Sequence, residues 1–404
     1  MGDAASFGLL VLCLAAGVLA AVQSHRVSAL VRLPASAFFL VAAIAGGGLL
    51  PAARVPDHRT VEHVVTLALV VLLFDGGLQV GWIRVRRVLP AVVSLGVLAT
   101  LVTGAAAAAA GHLILGVGWY AAALLGTAVA PTDPAVVFSV LGERDVEGDT
   151  GTVLEAESGA NDPVGIALMA VLVAAGGLTP GAALDVGVGF ALQLSVGLAV
   201  GLAGGRALLW LTRVSTLPAG GLYPVRSLMA VAAVYGAAAV AHGSGLLAVF
   251  VAGIVLADEP APFKAEVAGF HAALASLGEV VAFAFLGATV HPGVLARTDV
   301  WVPGLLLGLL VLVVIRPLVV LPLLARSRLR VGERVFVGLA GLKGAVPLLL
   351  GLLLLRAAVP APERLYGVVA VVVLLSVVVQ APVVPLLARR CGIAMTRKPP
   401  PPGR

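Results

Sequence analysis

Apolar runs of about twenty residues follow one another along this chain from end to end, each long enough to cross the hydrocarbon core of a bilayer. A helix of that length makes all its backbone hydrogen bonds internally, which lipid demands of any spanning segment. The runs fall at 4–22, 33–50, 61–80, 88–112, 118–141, 151–176, 183–211, 226–241, 243–257, 270–291, 300–325, 333–355 and 365–388. Only 11% of the residues are charged, against about 25% in a soluble domain. The chain therefore reads as an all-α polytopic membrane protein with about thirteen transmembrane helices. The first run has no basic residues ahead of it and reads as an uncleaved span.

Between the runs the loops are short, and the longest polar stretches are 142–150, 212–226 and 258–269. Residues 1–390 read as one membrane domain and 391–404 as a short disordered cytoplasmic tail, too polar to fold. The acidic stretch 142–150 reads as a solvated hairpin. No Walker sequence occurs, so an ATP-driven pump is not expected; a channel or a secondary transporter remains. Cys13 and Cys391 lie at opposite ends and suggest neither a disulfide scaffold nor a metal site. The net charge of +6 is explained by topology, and no nucleic-acid partner is expected. With the N-terminus outside and the C-terminus cytoplasmic, nineteen of the 26 Lys and Arg residues fall on the cytoplasmic side and five outside, the asymmetry of the positive-inside rule.

The chemistry lies in the polar residues at membrane depth, where a charged side chain costs at least about 2.5 kcal/mol and marks a functional site. Glu157-Ser158-Gly159-Ala160-Asn161-Asp162-Pro163 interrupts the run 151–176. At 100° per residue, Ser158 and Asp162 share one face and Glu157 and Asn161 another, with Glu157 and Asp162 about 140° apart. Pro163 lacks an N–H and leaves the Gly159 carbonyl without its helical partner. A free carbonyl beside a carboxylate and a hydroxyl is suitable ligation for a desolvated monovalent cation.

Thr132-Asp133-Pro134, preceded by Pro131, predicts a broken helix in 118–141, and Gly341-Leu342-Lys343-Gly344-Ala345-Val346-Pro347 predicts a second in 333–355. Irregular backbone at this depth must line a cavity or be buried in protein. Two such spans in different halves point to inverted repeats with a site at the midplane. Arg316, deep in its span, needs a counter-charge, with Glu157 and Glu279 as candidates; Glu279 reads as an ion-pair partner rather than a ligand. Lys343 is expected to neutralise the end of its broken helix or to face the site. Asp75 either lines an entrance or serves as a local cap. His63, His112, His242, His271 and His291 read as residents of span ends.

The segment Leu154 to Pro163 resembles the signature of the CPA1 class of monovalent cation:proton antiporters. Ala130-Pro131-Thr132-Asp133-Pro134 and Gly341 to Pro347 are similar to its two other landmarks. Leu73-Phe74-Asp75-Gly76-Gly77-Leu78 and Arg316-Pro317 make the chain most like the NhaP2-like potassium/proton branch. The resemblance implies an NhaA-like antiporter fold, a homodimer in the cell membrane, and exchange of K⁺ or Na⁺ for H⁺ with no cofactor. By the same resemblance Asp162 carries the alternating proton or cation, with Asp133, Ser158, Glu157 and Thr132 around it. Asn161 before Asp162 is the arrangement associated with electroneutral exchange, and Arg316 would hold Glu157. The cation is implied at Asp162, Asp133 and Ser158. Two positions depart from the pattern: Lys343 stands where an Arg is usual, and Glu279 where an amide is. A cation channel would use the same acids. An intramembrane aspartyl protease would need Gly-x-Gly-Asp, which Ala160-Asn161-Asp162 does not supply.

Overall fold

The computed structural model describes residues 33–49, 57–141 and 144–397, together with positions 8, 12, 19 and 23. The chain forms α1 (Ala35–Leu49), α2 (His58–Val80), α3 (Trp82–Leu115), α4 (Trp119–Val129) and α5 (Pro134–Leu141). A short strand β1 (Arg144–Val146) precedes α6 (Gly148–Ala175), α7 (Pro180–Val214), α8 (Leu222–Val240), α9 (Gly245–Ala257) and α10 (Lys264–Ala288). Then follow α11 (Thr298–Leu323), α12 (Val331–Leu339), α13 (Ala345–Leu354), α14 (Pro362–Arg390) and β2 (Met395–Arg397). Among the described residues nine helical spans are long and apolar enough to cross a membrane, α4 and α5 together counting as one, and three shorter apolar helices accompany them. Each expected run from 33–50 to 365–388 has a helical counterpart; the run 4–22 lies largely outside the described residues.

The helices pack in two groups. One contains α1, α2 and α7–α10; the other contains α3–α6 and α11–α14. Within each group glycine brings backbones into contact, as small residues do where lipid offers no hydrophobic drive to association. A Cβ on Gly77 of α2 would lie 2.4 Å from the Phe250 carbonyl oxygen of α9. A Cβ on Gly126 of α4 would lie 2.2 Å from that of Gly104 in α3, at the start of the alanine-rich stretch. Helix α6 runs along the boundary, packing on α7, α2 and α9 of the first group as well as on α3 and α4 of its own.

Two spans of the second group are interrupted: α4 gives way to extended chain before α5, and α12 before α13. The two irregular stretches cross, and the Asp133 N–H donates to the Leu342 carbonyl at 2.8 Å. Pro163 does not interrupt α6, which runs unbroken from Gly148 to Ala175. A single missing N–H is absorbed when the helix is held on several sides; two prolines on either side of Thr132-Asp133 are not.

The expected disordered tail is corrected over its first part. β2 pairs antiparallel with β1, Arg144 opposite Arg397 and Val146 opposite Met395, and Glu147 N–H donates to the Ala394 carbonyl at 3.0 Å. The stretch expected as a solvated hairpin is thus half of a two-stranded sheet. Neither segment can satisfy its backbone alone, and each supplies the other's partners. Residues 398–404 lie outside the described part. His271 is also corrected: it is fully buried in α10, its Nε2 2.8 Å from the Ser227 hydroxyl and its ring edge-on to Phe74.

Candidate ion-binding site

At the crossing, each broken end meets a side chain of the right charge. The α4 helix leaves the carbonyls of Ala130 and Pro131 without helical partners, because the turn that follows is extended and Pro134 has no N–H. Lys343, fully buried in the second break, donates its ammonium to both, at 2.8 and 3.0 Å. A cation at a helix C-terminus also opposes the helix dipole favourably. Asp133 does the converse. Its Oδ1 accepts from the Ala135 N–H at 2.9 Å, and its carboxylate also bonds the N–H groups of Val136 and Ala345. These are first-turn groups of α5 and α13, so one carboxylate caps two helices. Gly344 makes this possible: a Cβ there would fall 1.9 Å from Asp133 Oδ2.

Helix α6 presents its polar face to the same crossing. Asn161 Nδ2 donates to the Thr132 hydroxyl at 2.8 Å, and Thr132 N–H reaches Asn161 Oδ1 at 3.4 Å. The Thr132 and Ser158 hydroxyls are 3.5 Å apart. Thr132 therefore bridges the two faces that helical spacing separates. Asp162 is buried, and its Oδ1 has no hydrogen-bond partner among the described residues. Its carboxylate has one like charge acting on it, Asp133, and one opposite, Lys343.

A cavity of about 150 Å³ borders Asp162, Ser158, Asp133, Glu279 and Asp75. It runs between α2, α6, α10 and the two breaks towards Gln79 and Glu155. Glu155 is 3.4 Å from exposed Arg84, which marks the mouth as the end bearing Arg84, Arg86 and Arg87. Asp75 accepts from Gln79 Nε2 at 2.6 Å. It therefore both lines the cavity and is held within its own helix. Glu279 has no ion pair among the described residues; it faces the cavity and contacts the Ser36 hydroxyl. Its expected role as an ion-pair partner is corrected, because Arg316 lies on the far side of the second break.

Arg316 takes the other candidate. Its Nη2 donates to Glu157 Oε1 at 2.8 Å and sits 3.4 Å from the Val337 carbonyl, with Arg316 3% and Glu157 1% exposed. A Cβ on Gly341 would lie 1.8 Å from Arg316 Nε, so the guanidinium packs directly beneath the second break. Glu157 does not border the cavity.

Two residues escaped the sequence reading. Ser376 Oγ accepts from the Lys343 main-chain N–H at 2.8 Å and donates to Gln380 Oε1 at 2.9 Å. Gln380 Nε2 in turn donates to the Leu339 carbonyl at the end of α12, at 2.8 Å. They fix the second break from α14, within a π-helical stretch, Leu375–Gln380, of the kind that often marks functional positions. The available signal was a hydroxyl and an amide four residues apart in an otherwise apolar run.

A second cavity, about 420 Å³, opens towards the other end of the molecule. It begins on α6 at Ile166, one turn beyond Asp162, and includes the ion pair of Arg356 with Glu62 at 2.6 Å. Asp162 borders the first cavity and not the second.

Residues 10–390 match the family described as sodium/hydrogen exchanger, transmembrane. The chain belongs to this family. It is 30% identical over 377 residues to the K(+)/H(+) antiporter NhaP2 of Shewanella sp. (strain MR-4), covering 92% of this chain and 65% of that protein. It is 31% identical over 367 residues to the K(+)/H(+) antiporter NhaP of Alkalimonas amylolytica, covering 90% of this chain and 62% of that one. The chain thus spans under two thirds of the length of these relatives. The sodium proton antiporter MjNhaP1 from Methanocaldococcus jannaschii, solved at pH 8, has the same fold, with a TM-score of 0.80 at 24% identity over 97% of this chain and 99% of that one.

Proposed function

We propose that the protein is a secondary antiporter, not an enzyme, that exchanges monovalent cations, K⁺ and/or Na⁺, for protons across the cell membrane and needs no cofactor. The observation that carries this is the Asp162 carboxylate. It is buried at the head of an access cavity, and one oxygen has no protein partner among the described residues. A carboxylate in that position takes either a proton or a dehydrated cation, and taking one excludes the other. Exchange follows when the occupied site is exposed to alternate sides, driven by whichever gradient is larger. The cation would draw on oxygen from Asp162, Asp133 and Ser158. Thr132 and Asn161 hold the shape of that cage, and Asp75 and Glu279 give the approach its negative charge. Arg316–Glu157 and Lys343 are fixed charges that keep the two breaks in register.

Two cavities reaching adjacent turns of α6 from opposite ends suit alternating access, with the second group of helices moving against the first. The relatives named for potassium/proton exchange support the same reading. We carry with it thirteen spans in inverted repeats, N-terminus outside and C-terminus cytoplasmic, electroneutral stoichiometry and a homodimer. The like form of the two breaks supports the repeats. The cations Arg84, Arg86, Arg87, Arg206 and Arg213 at one end support the orientation.

The test is cation-dependent proton flux in proteoliposomes, titrated separately with K⁺, Na⁺ and Li⁺, for the natural protein and Asp162→Asn. The natural protein should exchange at least one of them and the variant none. Robust exchange by Asp162→Asn would overturn the assignment.

A further inference from the structure

A third cavity, about 70 Å³, lies away from Asp162 at the end of the molecule that carries Arg84. It sits where the ends of α7 and α9 meet the starts of α8 and α10, and two cations line it, Arg226 and Lys264. No carboxylate lines it among the described residues.

Arg226 is held from one side only. Its Nη1 donates to the Ser215 carbonyl at 2.7 Å, and its guanidinium lies over the Tyr223 ring, 4.7 Å from the centroid. Nε and Nη2 are both buried with no hydrogen-bond partner among the described residues. These two donors form one edge of the guanidinium fork, the edge that binds two oxygens of a phosphate or carboxylate at once. Leaving such donors buried and unmatched is costly, and the rest of the side chain is pinned so that this edge cannot turn away. Lys264 donates to the carbonyls of Ala257 and Glu259, which fixes a second positive charge at the same wall. Leu208, Leu209, Leu256 and Val267 make the remaining walls apolar, and Phe263, 44% exposed, packs its ring on Tyr223 at the rim.

We propose that this cavity binds a phosphate group, taken bidentately by Arg226 Nε and Nη2 and assisted by Lys264. The two cations fit the phosphate of an anionic lipid and the apolar walls and aromatic rim fit the start of its acyl chains, and inorganic phosphate shares the recognised chemistry at the cations. The site is independent of the Asp162 cavity and stands whether or not the antiport reading does.

The full chain, purified in detergent, is titrated with phosphatidylglycerol and separately with inorganic phosphate, and adducts are counted by native mass spectrometry. Phosphatidylglycerol should bind, and Arg226→Gln should weaken it about tenfold or more, the loss expected for a charge-assisted hydrogen bond. Arg206→Gln, which removes an exposed cation from α7, should leave binding unchanged. Binding of phosphatidylglycerol alone identifies a lipid site; equal Arg226-dependent binding of inorganic phosphate identifies a soluble-anion site. Should Arg226→Gln fail to give a monodisperse protein, Lys264→Gln serves instead, with a several-fold loss expected. The proposal is overturned if neither ligand binds, or if both variants bind as the natural protein does.

Discussion

Leu342 accepts the main-chain N–H of Asp133 at 2.8 Å, which ties the two interrupted spans together at the residues where neither is helical. The groups that cap the broken helix ends are arranged about that one bond. Lys343 and Gly344 follow Leu342, and each answers to a group from the first break. The crossing is therefore a single structural unit rather than two adjacent loops.

Gly344→Ala should separate the breaks without removing any charged side chain. The added carbon would fall 1.9 Å from Asp133 Oδ2, so the Asp133 carboxylate or the whole second break must move. A shift of about 1 Å at a reacting group can cost about a hundredfold. The initial rate of cation-dependent proton movement in everted vesicles should fall at least about tenfold while the amount of inserted protein stays the same. A rate within twofold of the natural one would show that the close approach is not needed.

Removing the ammonium of Lys343 leaves the Ala130 and Pro131 carbonyls without their donors at a fully buried position. Lys343→Ala should cost about 3–6 kcal/mol, twice the roughly 1.5–3 kcal/mol of one charge-assisted bond. The thermal midpoint of the detergent-purified protein reports it. A change of less than about 0.5 kcal/mol, no more than a surface substitution gives, would mean that the carbonyls find other partners.

The Arg316–Glu157 pair gives a prediction about coupling. Breaking a buried pair from one side costs about 3–5 kcal/mol because the remaining charge is stranded, whereas replacing both partners with apolar residues is often far milder. Glu157→Gln and Arg316→Met should each destabilise strongly, and the double variant Glu157→Leu/Arg316→Met should be more stable than either. A double-mutant cycle read by thermal midpoints measures the coupling. Simple additivity would show that the two charges do not depend on each other.

How much of this was legible beforehand differs from element to element. Spans 61–80 and 118–141 announced themselves, because hydropathy over twenty residues reports the solvent directly. Both breaks were legible too: proline beside an acid, or glycine on both sides of a lysine, has few structural readings inside a membrane. The partners were not. Whether Arg316 meets Glu157 or Glu279 depends on which way each helix is turned, and that is set by packing between helices distant in sequence. Ser376 and Gln380 stayed hidden because they act through main-chain groups of another span. The β1–β2 pairing was invisible because three-residue strands carry no periodicity and exist only through each other.

Competition at a single carboxylate makes a kinetic prediction. Lowering pH on the cation's side should raise the apparent KM for the cation and leave the maximal rate unchanged at saturating cation. The cation titration repeated at several pH values in proteoliposomes measures this. Inhibition by protons that excess cation does not relieve would point to separate sites for the two ions.

The ladder between β1 and β2 has a mechanical consequence. Along the covalent chain, α14 is separated from α5 and α6 by some two hundred residues, and most of the first helix group lies between them. By fastening the segment after α14 to the link between α5 and α6, the sheet turns an open string of helices into a closed hoop. The hoop holds Asp162, the second break and its support, and Asp133 stands on the chain just ahead of the closure. Tension applied at Arg397 is therefore shared with Arg144, on the link between the helices that carry those two acids, and not borne by α14 alone.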